Sequence, residues 1–169
     1  MIAIRRMSAI TLSFVLSFVL SGLLCEPGVS WADPAVPSWP GTTINGSAVP
    51  GIVLPLEDRS TMLDTVEEDG DRVLVIQGIR KAGSRAPIHV HAYGGITCVL
   101  AGVATDFVEG HAPMTAPAGT CYYMPPNTPM SIANLGTEDV HLMDTFTLPP
   151  WAPTITILEP GWEDSEAFG

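Results

Sequence analysis

The stretch "GSRAPIHVHAYGGITCVLAG", residues 83–102, decides how this chain is read. His89 and His91 sit two apart in a run of strand character. Side chains alternate across a strand, so both imidazoles point the same way. Two imidazoles on one face are how a strand presents a metal ion. A metal site also needs further ligands, and the next positions hold Tyr93, Gly94 and Gly95 instead of a carboxylate.

Working outward, short β-branched and aromatic runs alternate with Gly, Pro, Asn and Asp from about residue 61. Strands are expected at 72–80, 87–92, 96–102, 104–108, 120–124, 129–134 and 140–146, with turn signals between them. The stretch 148–162 reads as a last strand reached through a proline-rich bend. No segment carries a long helical apolar stripe, so the fold class is all-β, a sandwich or barrel. There is no internal repeat.

A second stretch, "GTCYYMPPNTPMSIAN" at 119–134, completes the pattern. Together the two stretches resemble the paired motifs of the cupin superfamily. In the first motif, Gly83, His89, His91 and Gly102 fall in place; in the second, Gly119, Pro125 and Asn134 do. The resemblance covers about residues 61–147 and implies a double-stranded β-helix, or jelly-roll barrel. It implies a dimer as well, since single-domain cupins commonly pair. Metal-binding cupins typically hold their ion with three His and one Glu. Here Gly95 stands at the glutamate position, Met130 at the third histidine, and Asn127 at a turn glycine whose left-handed conformation Asn also adopts.

The candidate metal ligands are therefore His89, His91 and, if the second motif folds as in cupins, Met130. Two imidazoles and a thioether suit a soft or borderline ion, copper or zinc, and suit manganese, magnesium or calcium poorly. The other reading is an empty or organic-ligand pocket in which Met130 is a core filler. Gln77, Tyr93, Thr97 and Tyr123, on or beside the expected inner strands, are candidate pocket residues. His141 and Met143 would face inward in one register. The other register turns Val140, Leu142 and Phe146 inward, buries more apolar surface, and is the one expected. His111 reads as a surface residue, and Asp106 and Asp144 as solvated strand residues.

The ends of the chain set its context. Residues 1–32 read as a signal peptide, with Arg5 and Arg6, an apolar run, and a cut between Ala32 and Asp33. That implies a secreted or periplasmic protein with no membrane span after cleavage. Leu24 before Cys25 argues against a lipid anchor. Residues 33–60 are a Pro/Gly-rich extended arm with a weak glycosylation pattern at Asn45, 61–147 the cupin domain, and 148–169 a C-terminal extension. The arm is long enough to cross to a second copy as an extra strand. The whole chain carries a net charge of −11. An acidic surface argues against nucleic acid and anionic membrane as partners. Cys98 and Cys121 are the cysteines left after cleavage. They are either a disulfide, worth about 3–4 kcal/mol for this loop length, or two free thiols. The functional expectation is a protein that binds a small organic molecule, a metal ion, or both. The alternatives are a metal-dependent oxygenase, isomerase or lyase, and an envelope interaction protein without metal.

Overall fold

The computed structural model describes residues 41–162. The signal peptide expected at 1–32, its cut site, the start of the arm and the tail at 163–169 lie outside the described residues. Within them there are twelve strands and no helix.

Five strands form one sheet in the order β2 (Glu57–Val66), β3 (Arg72–Arg80), β11 (Val140–Leu148), β6 (Gly95–Ala101) and β9 (Cys121–Met124). The second sheet runs β1 (Ile52–Val53), β4 (Ser84–Arg85), β10 (Met130–Ala133), β5 (His89–Val90) and β12 (Thr156–Ile157). There β7 (Val103–Val108) pairs with β10 and with β8 (Met114–Pro117).

The frame of the barrel is the β3–β11 pair. It runs without a slip from Arg72↔Leu148 to Arg80↔Val140. Alternation turns Leu74 and Ile76 of β3 and Val140, Leu142, Phe146 and Leu148 of β11 inward, where all are buried. Each buried apolar side chain of this size contributes about 1.5–3 kcal/mol. A one-residue slip would turn the whole set to solvent, so the register is fixed by burial. His141 is exposed as a result, and Met143 shares its outward face.

Two expected boundaries move. β2 starts at Glu57, inside the segment read as an arm. Charged and polar residues at its start mask the strand signal, and all ten of its residues are exposed. The rest of the described arm does not extend away from the domain. Ile44 and Val49 pack with Ile88 on the outer side of the second sheet, with Phe107 and Leu158 against them. Asn45 fastens this segment. Its side-chain amide donates to the carbonyls of Val108 (3.1 Å) and His111 (2.7 Å) and accepts from the Gly110 amide (2.7 Å). His111 itself is exposed, as expected.

The C-terminal stretch is part of the barrel wall. Thr156 and Ile157 pair with Val90 and His89. Glu159 accepts two short bonds from the Arg85 guanidinium (2.6 and 2.7 Å) and one from the Ile88 amide (2.8 Å).

Candidate functional site

Between the sheets lies a cavity of about 80 Å³. His89, His91, Met130 and Thr97 line it, all less than a tenth exposed. The β5–β10 register pairs Met130 directly with His89. Directly opposed residues share a face, so the thioether and the imidazole enter the cavity side by side.

The two rings are held by their Nδ1 atoms. That of His89 lies 2.7 Å from the Pro87 carbonyl, and that of His91 lies 2.6 Å from the Thr154 carbonyl. A carbonyl only accepts, so both Nδ1 atoms carry the proton and both Nε2 lone pairs are free. Those two Nε2 atoms stand 3.1 Å apart, with the rings edge to face. Burial lowers the pKa of His89 to about 3, helped by the neighbouring His91, and burial lowers that of His91 to about 4. At neutral pH both rings are therefore uncharged. Two facing lone pairs repel unless a cation sits between them.

The other side of the cavity is polar too. Thr97 donates to Asp144 at 2.6 Å. Asp106, Tyr122 and Arg80 complete that wall. Burial, then the nearby Asp144, raises the Asp106 pKa to about 7. Burial likewise pushes Asp144 up and Tyr122 well above the ordinary range. Burial lowers Arg80 to about 10 against the opposing pull of Asp144.

Several sequence expectations need correction. Gln77 lies on the face of β3 opposite Ile76 and does not line the cavity. Tyr123 is 62% exposed, and its neighbour Tyr122 lines the cavity instead. Tyr93 packs against the apolar core beside the cavity without lining it. Asp106 and Asp144, expected to be solvated, face into the barrel. Cys98 and Cys121 are register partners on β6 and β9 and are joined by a disulfide.

Residues 75–146 match the family model described as "Cupin domain". That stretch is a cupin domain. Among solved structures, this chain is similar to the DMSP lyase DddQ from Ruegeria pomeroyi DSS-3, with a TM-score of 0.50 and 17% identity. That match covers 66% of this chain and 54% of the lyase, so the chain spans about half the lyase's length and the likeness is one of fold. It is also similar to a conserved protein with a double-stranded beta-helix domain from Klebsiella pneumoniae (TM-score 0.47, 24% identity, 60% of this chain and 86% of that one). An RmlC-like cupin family protein from Methanocaldococcus jannaschii aligns with a TM-score of 0.47 at 16% identity, over 62% and 94% of the two chains. No curated protein matches the chain.

The cupin motif residues that carry turns behave as the motif requires. Asn127 adopts a φ of 52°, and its amide donates to the His91 carbonyl at 2.9 Å. Asn134 is fully buried, and its side-chain amide donates to the carbonyls of Arg80 and Glu138. The ligand positions differ. A Cβ placed on Gly95 would lie 2.7 Å from Met124 Cε and 2.8 Å from Phe146 Cδ1. The room for a glutamate side chain is therefore taken, largely by the Phe146 ring, which sits 5.2 Å from the His91 ring. Among the described residues, no group of three or more His, Cys, Asp or Glu converges as a metal set.

Proposed function

We propose that this cupin binds a soft or borderline transition-metal ion, copper or zinc, through Nε2 of His89 and His91, in a cavity that also admits a small organic ligand. One observation carries the reading: two unprotonated Nε2 atoms face each other at 3.1 Å while both Nδ1 atoms are committed to carbonyls. An ion at the usual distance of about 2.0–2.1 Å from each nitrogen would subtend about 95–100°, between octahedral and tetrahedral values. The carbonyl partners are the outer contacts that orient metal-bound imidazoles. Met130, on the same face as His89, adds a thioether that favours soft ions. When bound, the ion supplies a Lewis-acid centre with open positions. The chain's own residues orient the imidazoles and keep the site largely enclosed. The Cys98–Cys121 disulfide supports an exported location. The exposed edge strand β2, with Met62, Leu63 and Val66 on its surface, supports a homodimer.

Turnover is a second reading, favoured by Asp106. A carboxylic acid with a pKa of about 7, in the same cavity as the imidazoles, is suited to general acid–base work near neutral pH.

The test is elemental analysis of untagged protein, followed by competition titrations with Zn(II), Cu(I) and Mn(II). One equivalent of zinc or copper is expected, lost in His89→Ala and in His91→Ala. Tight manganese binding, or zinc binding that survives both substitutions, would overturn the proposal.

A further inference from the structure

The cavity has a second pole that the imidazole pair does not use. Arg80 is 2% exposed and lines the cavity. A guanidinium has five N–H donors, and the side chain of Arg80 makes one hydrogen bond, to the Leu54 carbonyl. Its Nε has no partner. No carboxylate among the described residues reaches ion-pair distance from it, although Arg72, Lys81 and Arg85 each have one. Buried charges are ordinarily paired. A buried guanidinium bordering a cavity with most of its donors unused is a receptor for an oxyanion, and Arg matches planar carboxylates best.

We infer that the cavity takes a small carboxylic acid, with its carboxylate on Arg80 and its other end toward His89 and His91. This rests on the reading of the cavity as a ligand site and adds the class of ligand. Size sets the limit. Each water-sized position needs about 10–15 Å³, so a cavity of about 80 Å³ holds a molecule of roughly five to eight heavy atoms.

Two acidic residues share the space, and an anion must coexist with them. The titratable and charged groups facing Asp106 across the cavity are Asp144, Tyr122, Arg80, Arg59, His89 and His91. With Asp106 protonated, the buried Arg80 meets the ligand with no charge on Asp106 to oppose it, and Arg59 lies on an exposed strand. The protonated acid is also a hydrogen-bond donor. Once Asp106 ionises, that donor is lost and a carboxylate charge faces the ligand. Anion binding should therefore weaken as pH rises through about 7, the value to which burial raises Asp106.

The experiment uses the full chain stripped of metal and freed of chelator, with malonate and malonamide as probes, followed by calorimetry at pH 6 and pH 8. The two probes have the same number of heavy atoms and differ in charge. Malonate is expected to bind at pH 6 at least tenfold more tightly than malonamide, and to weaken at least tenfold at pH 8. Asp106→Asn should keep malonate binding and flatten its pH dependence, and Arg80→Met should abolish it. The probe comparison on the unaltered protein stands even if Arg80→Met fails to fold. Equal binding of the two probes, binding of neither, or tighter malonate binding at pH 8 would overturn the inference. Because the sample is metal-free, the result is independent of the imidazole proposal: zinc titration of the same protein tests that separately.

Discussion

Gly95→Ala tests whether the space at Gly95, where the cupin motif has a glutamate, is open or filled. On an open strand, replacing Gly by Ala at a backbone conformation both can adopt stabilises by about 0.4–1 kcal/mol, because the unfolded chain loses freedom. Gly95 is not in the left-handed region, so the backbone raises no objection. Packing does. The new methyl would lie 2.7 Å from Met124 Cε and 2.8 and 2.9 Å from two Phe146 ring carbons, well inside the roughly 3.5–4.0 Å of comfortable carbon contacts. The Met124 methyl is the end of a flexible chain and can swing away. The Phe146 ring is 4% exposed and stacked at a tilt on the His91 ring, so moving it disturbs His91. Overpacking of this kind costs about 1–3 kcal/mol, which outweighs the entropic gain and leaves a net loss of about 1–2 kcal/mol. Urea unfolding should show a midpoint lower by roughly 0.5–1 M with an unchanged slope. Phe146→Leu should relieve part of the loss, giving a coupling energy of about 0.5–1.5 kcal/mol in the double-mutant cycle. A Gly95→Ala protein as stable as the parent, or more so, would refute the claim that Phe146 has taken the space.

Two further outcomes follow from the buried charges. Asp106 has a folded pKa raised from 3.8 to about 7, so its favourable contribution is full below about pH 4 and lost as pH rises to about 7, by at most about 4 kcal/mol. The stability difference between Asp106→Asn and the parent should move in the variant's favour by a sizeable fraction of that between pH 5 and pH 8; a difference independent of pH contradicts the burial argument. Glu159→Gln removes the charge that holds Arg85 in a pair whose side chains are 12% and 15% exposed, and should cost about 2–4 kcal/mol. The same C-terminal segment carries the Thr154 carbonyl that orients His91, so zinc affinity should fall about tenfold as well; lost stability with unchanged zinc affinity would separate the clamp from the site.

The fold was legible because motif spacing and strand alternation agree. Gly83, His89, His91, Gly102, Gly119 and Asn134 fix the order of the two motifs without any knowledge of contacts, and the β3 range is legible from its β-branched run between turn signals. β2 and the short β1, β4 and β8 were missed because none shows both alternation and length; β2 is exposed along its whole run. Inside the site, parity was the weak link. Tyr122 and Tyr123 are adjacent, as are Ile76 and Gln77, and aromatic or polar type does not say which of two neighbours turns inward. The pairings Thr97↔Tyr122 and Asp144↔Ile76 settle it. The available signal was the apolar register of β11: once Leu142 and Phe146 point inward, Asp144 between them must do so too.

That placement of Asp144 bears on why the cavity remains polar at all. An Asp, a second Asp, an Arg and two His inside a barrel are expensive to bury, and apolar residues of similar volume would serve stability as well or better. At Gly95, where the cupin motif has a glutamate, the space is already filled with Phe146 and Met124. The same has not happened around Arg80, Asp106 and Asp144, whose strands β3, β7 and β11 carry Ile, Ala, Val and Leu at other inward positions. Selection for stability alone does not account for a half-satisfied guanidinium beside two carboxyls whose pKa values burial has raised. Occupancy by a ligand that brings its own charge and acceptors does. It supplies the missing partners of Arg80 and, with an ion between His89 and His91, relieves the facing lone pairs at 3.1 Å. Ligand and ion should therefore each raise the unfolding midpoint when added singly. Both together should raise it by more than the sum of the two shifts, because the ion's positive charge and the ligand's negative charge attract each other across the cavity. Thermal unfolding with zinc, with malonate and with both at pH 6 measures this directly, and strictly additive shifts would show that the two poles of the cavity do not communicate.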